Sequence, residues 1–116
     1  MNDINVLKSL RKDILLAAYK AGEGHVPSAF SILELIFGFY KQLHSDHQSL
    51  AGNDIKDKFV LSKGHASLGP YVVLAEMGYF PSAWLDTFAK FESNLGGHPD
   101  SRKIPGVEAS TGSLGH

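Results

Sequence analysis

Residues 32–43 impose the strongest constraint on what this chain can become. Ile32, Leu33, Leu35, Ile36, Phe37, Phe39 and Tyr40 follow one another so closely that, wound at helical pitch, they cover nearly the whole circumference. A helix apolar on every side needs burial all round, so the rest of the chain has to supply covering layers. Ser31-Ile32-Leu33-Glu34 reads as a capping box at its start. With 116 residues, 43% of them hydrophobic, the chain suffices for one folding unit, 1–116, that buries roughly two thirds of its unfolded surface.

The candidate covering elements are mostly helical. Residues 2–20 place Ile4, Leu7, Leu10, Ile14, Leu15 and Ala18 at helical spacing, with Asn2 or Asp3 as cap and Gly22 just past the end. A glycine-rich turn, 22–28, separates this helix from the apolar one. Residues 44–58 are polar and read as a surface loop. Phe59-Val60-Leu61-Ser62 has strand character and runs directly into Lys63-Gly64-His65. A helix is then expected from Ala66 or Ser67, with Pro70 in its first turn and Gly78 at its end. Pro81-Ser82 opens another short helix through Trp84, Leu85, Phe88 and Phe91. From Glu92 onward periodicity fades, apart from a possible strand at 107–109. Ser110 to His116 looks like the glycine-rich lead-in to a further helix. A strand entering a glycine turn and then a helix is a βα unit, so the expected class is α/β, helix-rich with few parallel strands.

Composition removes several function classes. There is no cysteine, hence no disulfide framework, thiolate zinc site, iron–sulfur cluster or cysteine nucleophile. A formal charge of −1 without a Lys/Arg cluster lacks the footprint of a general nucleic-acid binder. The apolar runs 14–19 and 35–40 are too short to span a bilayer, and Met1-Asn2-Asp3 has no basic n-region. The expectation is a cytoplasmic protein without a membrane or nucleic-acid partner.

Histidine is the unusual residue. Four of the six follow glycine directly, at Gly24-His25, Gly64-His65, Gly97-His98 and Gly115-His116, where chance pairing predicts about 0.6. Glycine permits positive φ and close approach to the main chain, so a neighbouring histidine tends to sit on a loop facing something. His65, between a strand and a helix start, either caps the turn or donates to an anion held by free backbone N–H groups. His25 and His98 are each ordinary loop histidines alone. Brought together at one edge, they would form a site that grips hydroxyls or moves protons. His44-x-x-His47 is a weak metal pair without a nearby third ligand. Neither a Walker loop nor a dinucleotide fingerprint is present: Pro70 follows Gly69 where lysine is required, and Pro27 stands where the fingerprint wants glycine.

Taken in order, several stretches resemble the N-terminal region of transketolase, the thiamine diphosphate enzyme, especially the bacterial type whose two halves are separate polypeptides. They are Gly24-His25 with Ser28 and the 31–34 helix start, residues 59–67, Gly78-Tyr79-Phe80, Leu95-Gly96-Gly97-His98-Pro99-Asp100, and residues 105–115. The resemblance implies part of the family's diphosphate-binding fold. It implies that His65 contacts the cofactor diphosphate, that His25 and His98 line the channel and assist proton transfer, and that Gly112, Ser113 and Leu114 form a cofactor-contacting turn.

It further implies transfer of a two-carbon ketol unit from a ketose phosphate to an aldose, using thiamine diphosphate and Mg²⁺. The partner would be a C-terminal transketolase subunit or domain, in a homodimer or heterotetramer. The metal ligands, a Gly-Asp-Gly segment and an asparagine, are expected beyond His116, and the glutamate that activates the aminopyrimidine in another domain. The 116 residues alone are therefore expected to be inactive. Pro27, Ser113 and His116 depart from the family's usual glycine, proline and glutamine. Alternative readings are a non-catalytic interaction fragment and another thiamine diphosphate enzyme, such as a 1-deoxyxylulose-5-phosphate synthase or a 2-oxo acid dehydrogenase component.

Overall fold

A computed structural model describes residues 2–46, 59–107, 110 and 111. Three α-helices dominate them: α1, Asp3–Ala21; α2, Val26–Asp46; and α3, Leu68–Glu76. Two 3₁₀ segments, Gly64–Ala66 and Ser82–Thr87, flank α3.

The expected ends of α1 are met. The Asn2 side chain accepts the Asn5 N–H at 2.9 Å, and Gly22, at φ +71°, closes the helix with its N–H on the Ala18 carbonyl. Its buried stripe is Leu10, Ile14 and Ala17. Ile4 and Leu15, expected in that stripe, are exposed.

α2 starts at Val26, well before the capping box at Ser31 implies. The His25 carbonyl accepts the Ala29 N–H at 3.0 Å. Pro27 occupies the first helical turn, where its missing N–H leaves nothing unpaired. Ser31, already inside the helix, donates to the Ser28 carbonyl at 2.7 Å instead of capping. The C-terminal end runs through His44 to Asp46, so part of the expected 44–58 loop is helix; residues 47–58 lie outside the description.

All-round burial of α2 is not what the structure shows. Leu33, Ile36, Phe37, Tyr40 and Leu43 face inward, while Leu35 is 74% and Phe39 38% exposed. The helix enclosed on every side is α3, buried at every residue from Leu68 to Leu74. It lies against α1, α2 and the Ser82–Thr87 segment. Gly69 brings it close to α2: a Cβ there would stand 3.4 Å from the Ile32 side chain. Pro70 is in its first turn as expected. Gly78, at φ +86°, ends it, with the Tyr79 N–H reaching back to the Leu74 carbonyl.

Two expectations need correction. Residues 59–62 form no strand, and no β-strand occurs among the described residues. An extended run becomes a strand only when a neighbour completes its ladder, and no described segment pairs with this one. The α/β class is therefore visible only in its helical part. Val107 is irregular, and residues 108–109 lie outside the description. The helix expected from residue 81 to Phe91 is the shorter 3₁₀ segment Ser82–Thr87. Beyond it Ala89 and Glu92 take left-handed φ of 60° and 65°. Phe88 is thereby turned into the core and Phe91 left 94% exposed.

Glycines within this scaffold differ in purpose. Gly38 is mid-helix and exposed, with open space where a Cβ would stand. Gly38→Ala is expected to raise stability by about 0.5–1 kcal/mol. Gly106, at φ +92°, would set a Cβ 2.7 Å from the Tyr79 ring and 2.8 Å from Leu74; Gly106→Ala is expected to cost about 1–3 kcal/mol. Urea unfolding of both variants checks the opposite signs.

Candidate active site

The three predicted histidines enter from three different segments. His25 sits in the short link between α1 and α2. His65 is the middle residue of the Gly64–Ala66 turn that leads into α3. His98 stands on the irregular loop after Leu95. They nevertheless meet: the three side chains line one cleft of about 170 Å³, together with Glu23 and Phe88. The His25 and His65 rings lie 5.3 Å apart, edge to face. A larger hollow between α1 and the Ser82–Thr87 segment contains no histidine, so size alone would have pointed elsewhere.

Local packing explains each placement. Gly24 holds φ +138°, and a Cβ on it would stand 3.2 Å from both Ala18 and Leu68 and 3.4 Å from the Phe88 ring. The link carrying His25 is thus pressed between α1, α3 and the cleft wall, a position only glycine fits. The other Gly–His pairs are not explained this way, because Gly64 and Gly97 have no positive φ. His98 belongs to a loop tied to α3 by two hydroxyls. Tyr71 Oη donates to the Gly96 carbonyl at 2.7 Å and Ser67 Oγ to the Gly97 carbonyl at 2.8 Å.

On its other side the loop is closed by a polar turn. Asp100 accepts from the Arg102 N–H at 2.9 Å and from its guanidinium, which holds the carboxyl below the usual carboxylate range. Ser110 Oγ accepts the Ser101 N–H at 2.9 Å, and the Thr111 N–H donates to the Pro99 carbonyl at 3.3 Å. The chain therefore returns beside His98 at Thr111. Gly112, Ser113 and Leu114, the expected cofactor-contacting turn, lie outside the described residues, as does His116.

Sequence reasoning missed Ser67, Tyr71, Phe88 and Glu23. Two hydroxyls spaced i, i+4 in an otherwise apolar helix were the available signal, since buried hydroxyls need partners. Of the His44-x-x-His47 pair, His44 lies on α2 with Nε2 2.8 Å from the Tyr79 hydroxyl, and His47 lies outside the described residues. Among the described residues no group of three His, Asp or Glu is placed to hold a metal ion. No helix among them is long and apolar enough to cross a membrane.

Residues 2–116 match the model for the transketolase thiamine diphosphate binding domain. The chain belongs to that family. An apulose-4-phosphate transketolase subunit from Actinobacillus succinogenes is 41% identical over 107 residues, covering 91% of this chain and 38% of the relative. A 6-deoxy-6-sulfo-D-fructose transketolase subunit from a Clostridium species is 39% identical over 91% of this chain and 38% of its own length. The transketolase of Pongo abelii is 37% identical over the same share of this chain but only 17% of its own. The chain thus spans little more than a third of the split transketolase subunits it matches, and a smaller fraction of the single-chain enzyme.

Two outcomes follow from this packing. Gly24→Ala is expected to destabilise by about 1–3 kcal/mol through strain and crowding, read as a lower urea midpoint. Burial, with a smaller push from the Asp100 carboxylate, drives the Tyr71 phenol well above its ordinary value of 10.0, against the opposing influence of the neighbouring Ser67 hydroxyl. The folded state then keeps a proton that the unfolded chain releases, so this contribution is complete below about pH 10 and is lost as pH climbs toward the raised value. Denaturant titrations between roughly pH 9 and 11 should show wild type losing more stability than Tyr71→Phe.

Proposed function

We propose that this chain supplies part of the active site of a transketolase that moves a two-carbon ketol unit from a ketose phosphate to an aldose acceptor. The single observation that carries the proposal is the shared cleft of His25, His65 and His98. Breaking a carbon–carbon bond beside a carbonyl needs an electron sink, which thiamine diphosphate supplies when bound. The donor set fits the anionic end of such a cofactor. Imidazole N–H groups can donate to phosphate oxygens, and His65 sits at the turn entering α3. At about 170 Å³ the cleft is smaller than the roughly 300–1,000 Å³ of a complete ligand site, so it would receive only part of cofactor and substrate.

In this proposal His65 donates to a diphosphate oxygen. His25 and His98 hydrogen-bond the sugar hydroxyls, and one of them takes and returns the proton at the reacting oxygen. The Phe88 ring walls the cleft on its apolar side and limits water there. Gly112, Ser113 and Leu114 add backbone contacts to the cofactor. Mg²⁺ would be held by ligands outside residues 1–116 and would offset the negative charge of the diphosphate.

The names of the relatives support two further elements. Relatives that are each one subunit of a transketolase favour a complementary chain; in this proposal that chain is a C-terminal transketolase subunit or domain, the assembly is a heterotetramer or a homodimer, and the location is the cytoplasm. Two relatives are named for anionic sugars, a phosphate and a sulfonate, which fits a cleft of imidazole donors.

In the assembled enzyme, His65→Ala is expected to weaken thiamine diphosphate binding at least tenfold by calorimetry. His98→Ala should leave that affinity intact and lower kcat by roughly 10²–10⁴. Cofactor affinity unchanged by His65→Ala would remove its assigned role, and equal loss of affinity in both variants would indicate collapse of the cleft instead.

A further inference from the structure

Ser67, at the N-cap of α3, and Tyr71, in its first turns, are 1% and 0% exposed, yet both are polar. Their hydroxyls do not pair with polar side chains on neighbouring helices. They donate to two successive peptide carbonyls, Gly97 at 2.8 Å and Gly96 at 2.7 Å, the last two before His98. This loop has no helix or strand of its own around residues 94–99. Gly96 and Gly97 bring no side chains with which to pack, and His98 is itself exposed. Leu95 and Pro99 are buried at either end of this stretch, but the Gly96 and Gly97 peptides between them are held by groups outside the loop.

α3 is suited to that task because it is immobilised on every side. A buried hydroxyl that loses its acceptor bears the full cost of its desolvation, so each bond strongly favours one placement of the peptide it holds. The ring of Tyr71 also packs edge to face on Phe88, 6.1 Å between centroids, and Phe88 walls the cleft. His65 precedes Ser67 by two residues in the same rigid stretch. One helix end thus fixes one imidazole through the chain and another through two hydrogen bonds.

We infer that Ser67 and Tyr71 are positioning residues, which set where His98 stands relative to His65 by clamping the Gly96 and Gly97 peptides. The inference rests on the reading of the histidine cleft as the reaction site, and its test separates the two. In the full chain, NMR relaxation is expected to show the Gly97 and His98 amide order parameters falling below about 0.6 in Tyr71→Phe. Ser67→Ala should give a smaller drop at the same residues. The nuclear Overhauser contact between the His25 and His65 rings should persist in both.

In the assembled enzyme, kcat should fall about tenfold, since misplacement of a reacting group by a fraction of an ångström is enough for such losses, while thiamine diphosphate affinity stays unchanged. If Tyr71→Phe does not fold, Ser67→Ala carries the same readout. Unaltered order at His98 in the folded variants would overturn the inference. So would equal loosening of the His25–His65 pair, because that marks a general role in stability. A loosened loop with undiminished turnover would uphold the clamp and refute the reading of the cleft.

Discussion

The burial of α3 from Leu68 to Leu74 is the constraint on which the rest of this structure depends. Each fully enclosed Leu, Val or Tyr side chain contributes roughly 1.5–3 kcal/mol through removal from water, and Leu68, Tyr71, Val72, Val73 and Leu74 are all enclosed. A helix seated so firmly cannot rotate or slide without moving α1 and α2 as well. Everything at its N-terminal end inherits that rigidity. His65 does so through chain continuity, Gly24 by lying against Leu68, and the loop of His98 through two hydroxyls. The cleft is therefore formed by loops whose positions are dictated by a core helix rather than by their own conformational preferences.

Ion pairs contribute little to holding this arrangement. Asp3 meets Lys41 and Lys20 meets Asp86 across helix surfaces, and Arg11 pairs with Glu34, all with side chains in substantial contact with water. Exposed pairs of this kind are worth about 0–1 kcal/mol each. The Asp3–Lys41 and Arg11–Glu34 pairs fit an antiparallel register of α1 on α2 that the stripe of Leu10, Ile14 and Ala17 already enforces.

Much of this was legible in the sequence, and the failures have physical causes. The boundaries of α1 and the end of α3 were readable because Asn2, Gly22 and Gly78 act locally, through caps and left-handed turns. Which helix would be innermost was not readable. A circumference rich in apolar residues says that a helix can be buried, while neighbours decide whether it is; α2 keeps Leu35 and Phe39 exposed while α3 is enclosed. The extended run 59–62 has strand composition, but strand formation requires a partner that composition cannot supply. At the site, the surplus of Gly–His pairs correctly drew attention to three residues that meet in space. Ser67 and Tyr71 stayed hidden, because their partners are carbonyl groups 30 and 25 residues away and main-chain acceptors leave no trace in side-chain pattern.

The reversal at Ala89 and Glu92 has a consequence for how this chain can vary. Two non-glycine residues in left-handed geometry within four positions make the turn tight, and only two residues, Ala89 and Lys90, separate a ring at the cleft from one in solvent. Adding or deleting a single residue there would shift the phase of the turn, carrying Phe88 outward and Phe91 inward and opening the cleft to bulk water. The turn is thus constrained in length more than in the identity of its solvent-facing side chains, such as Phe91.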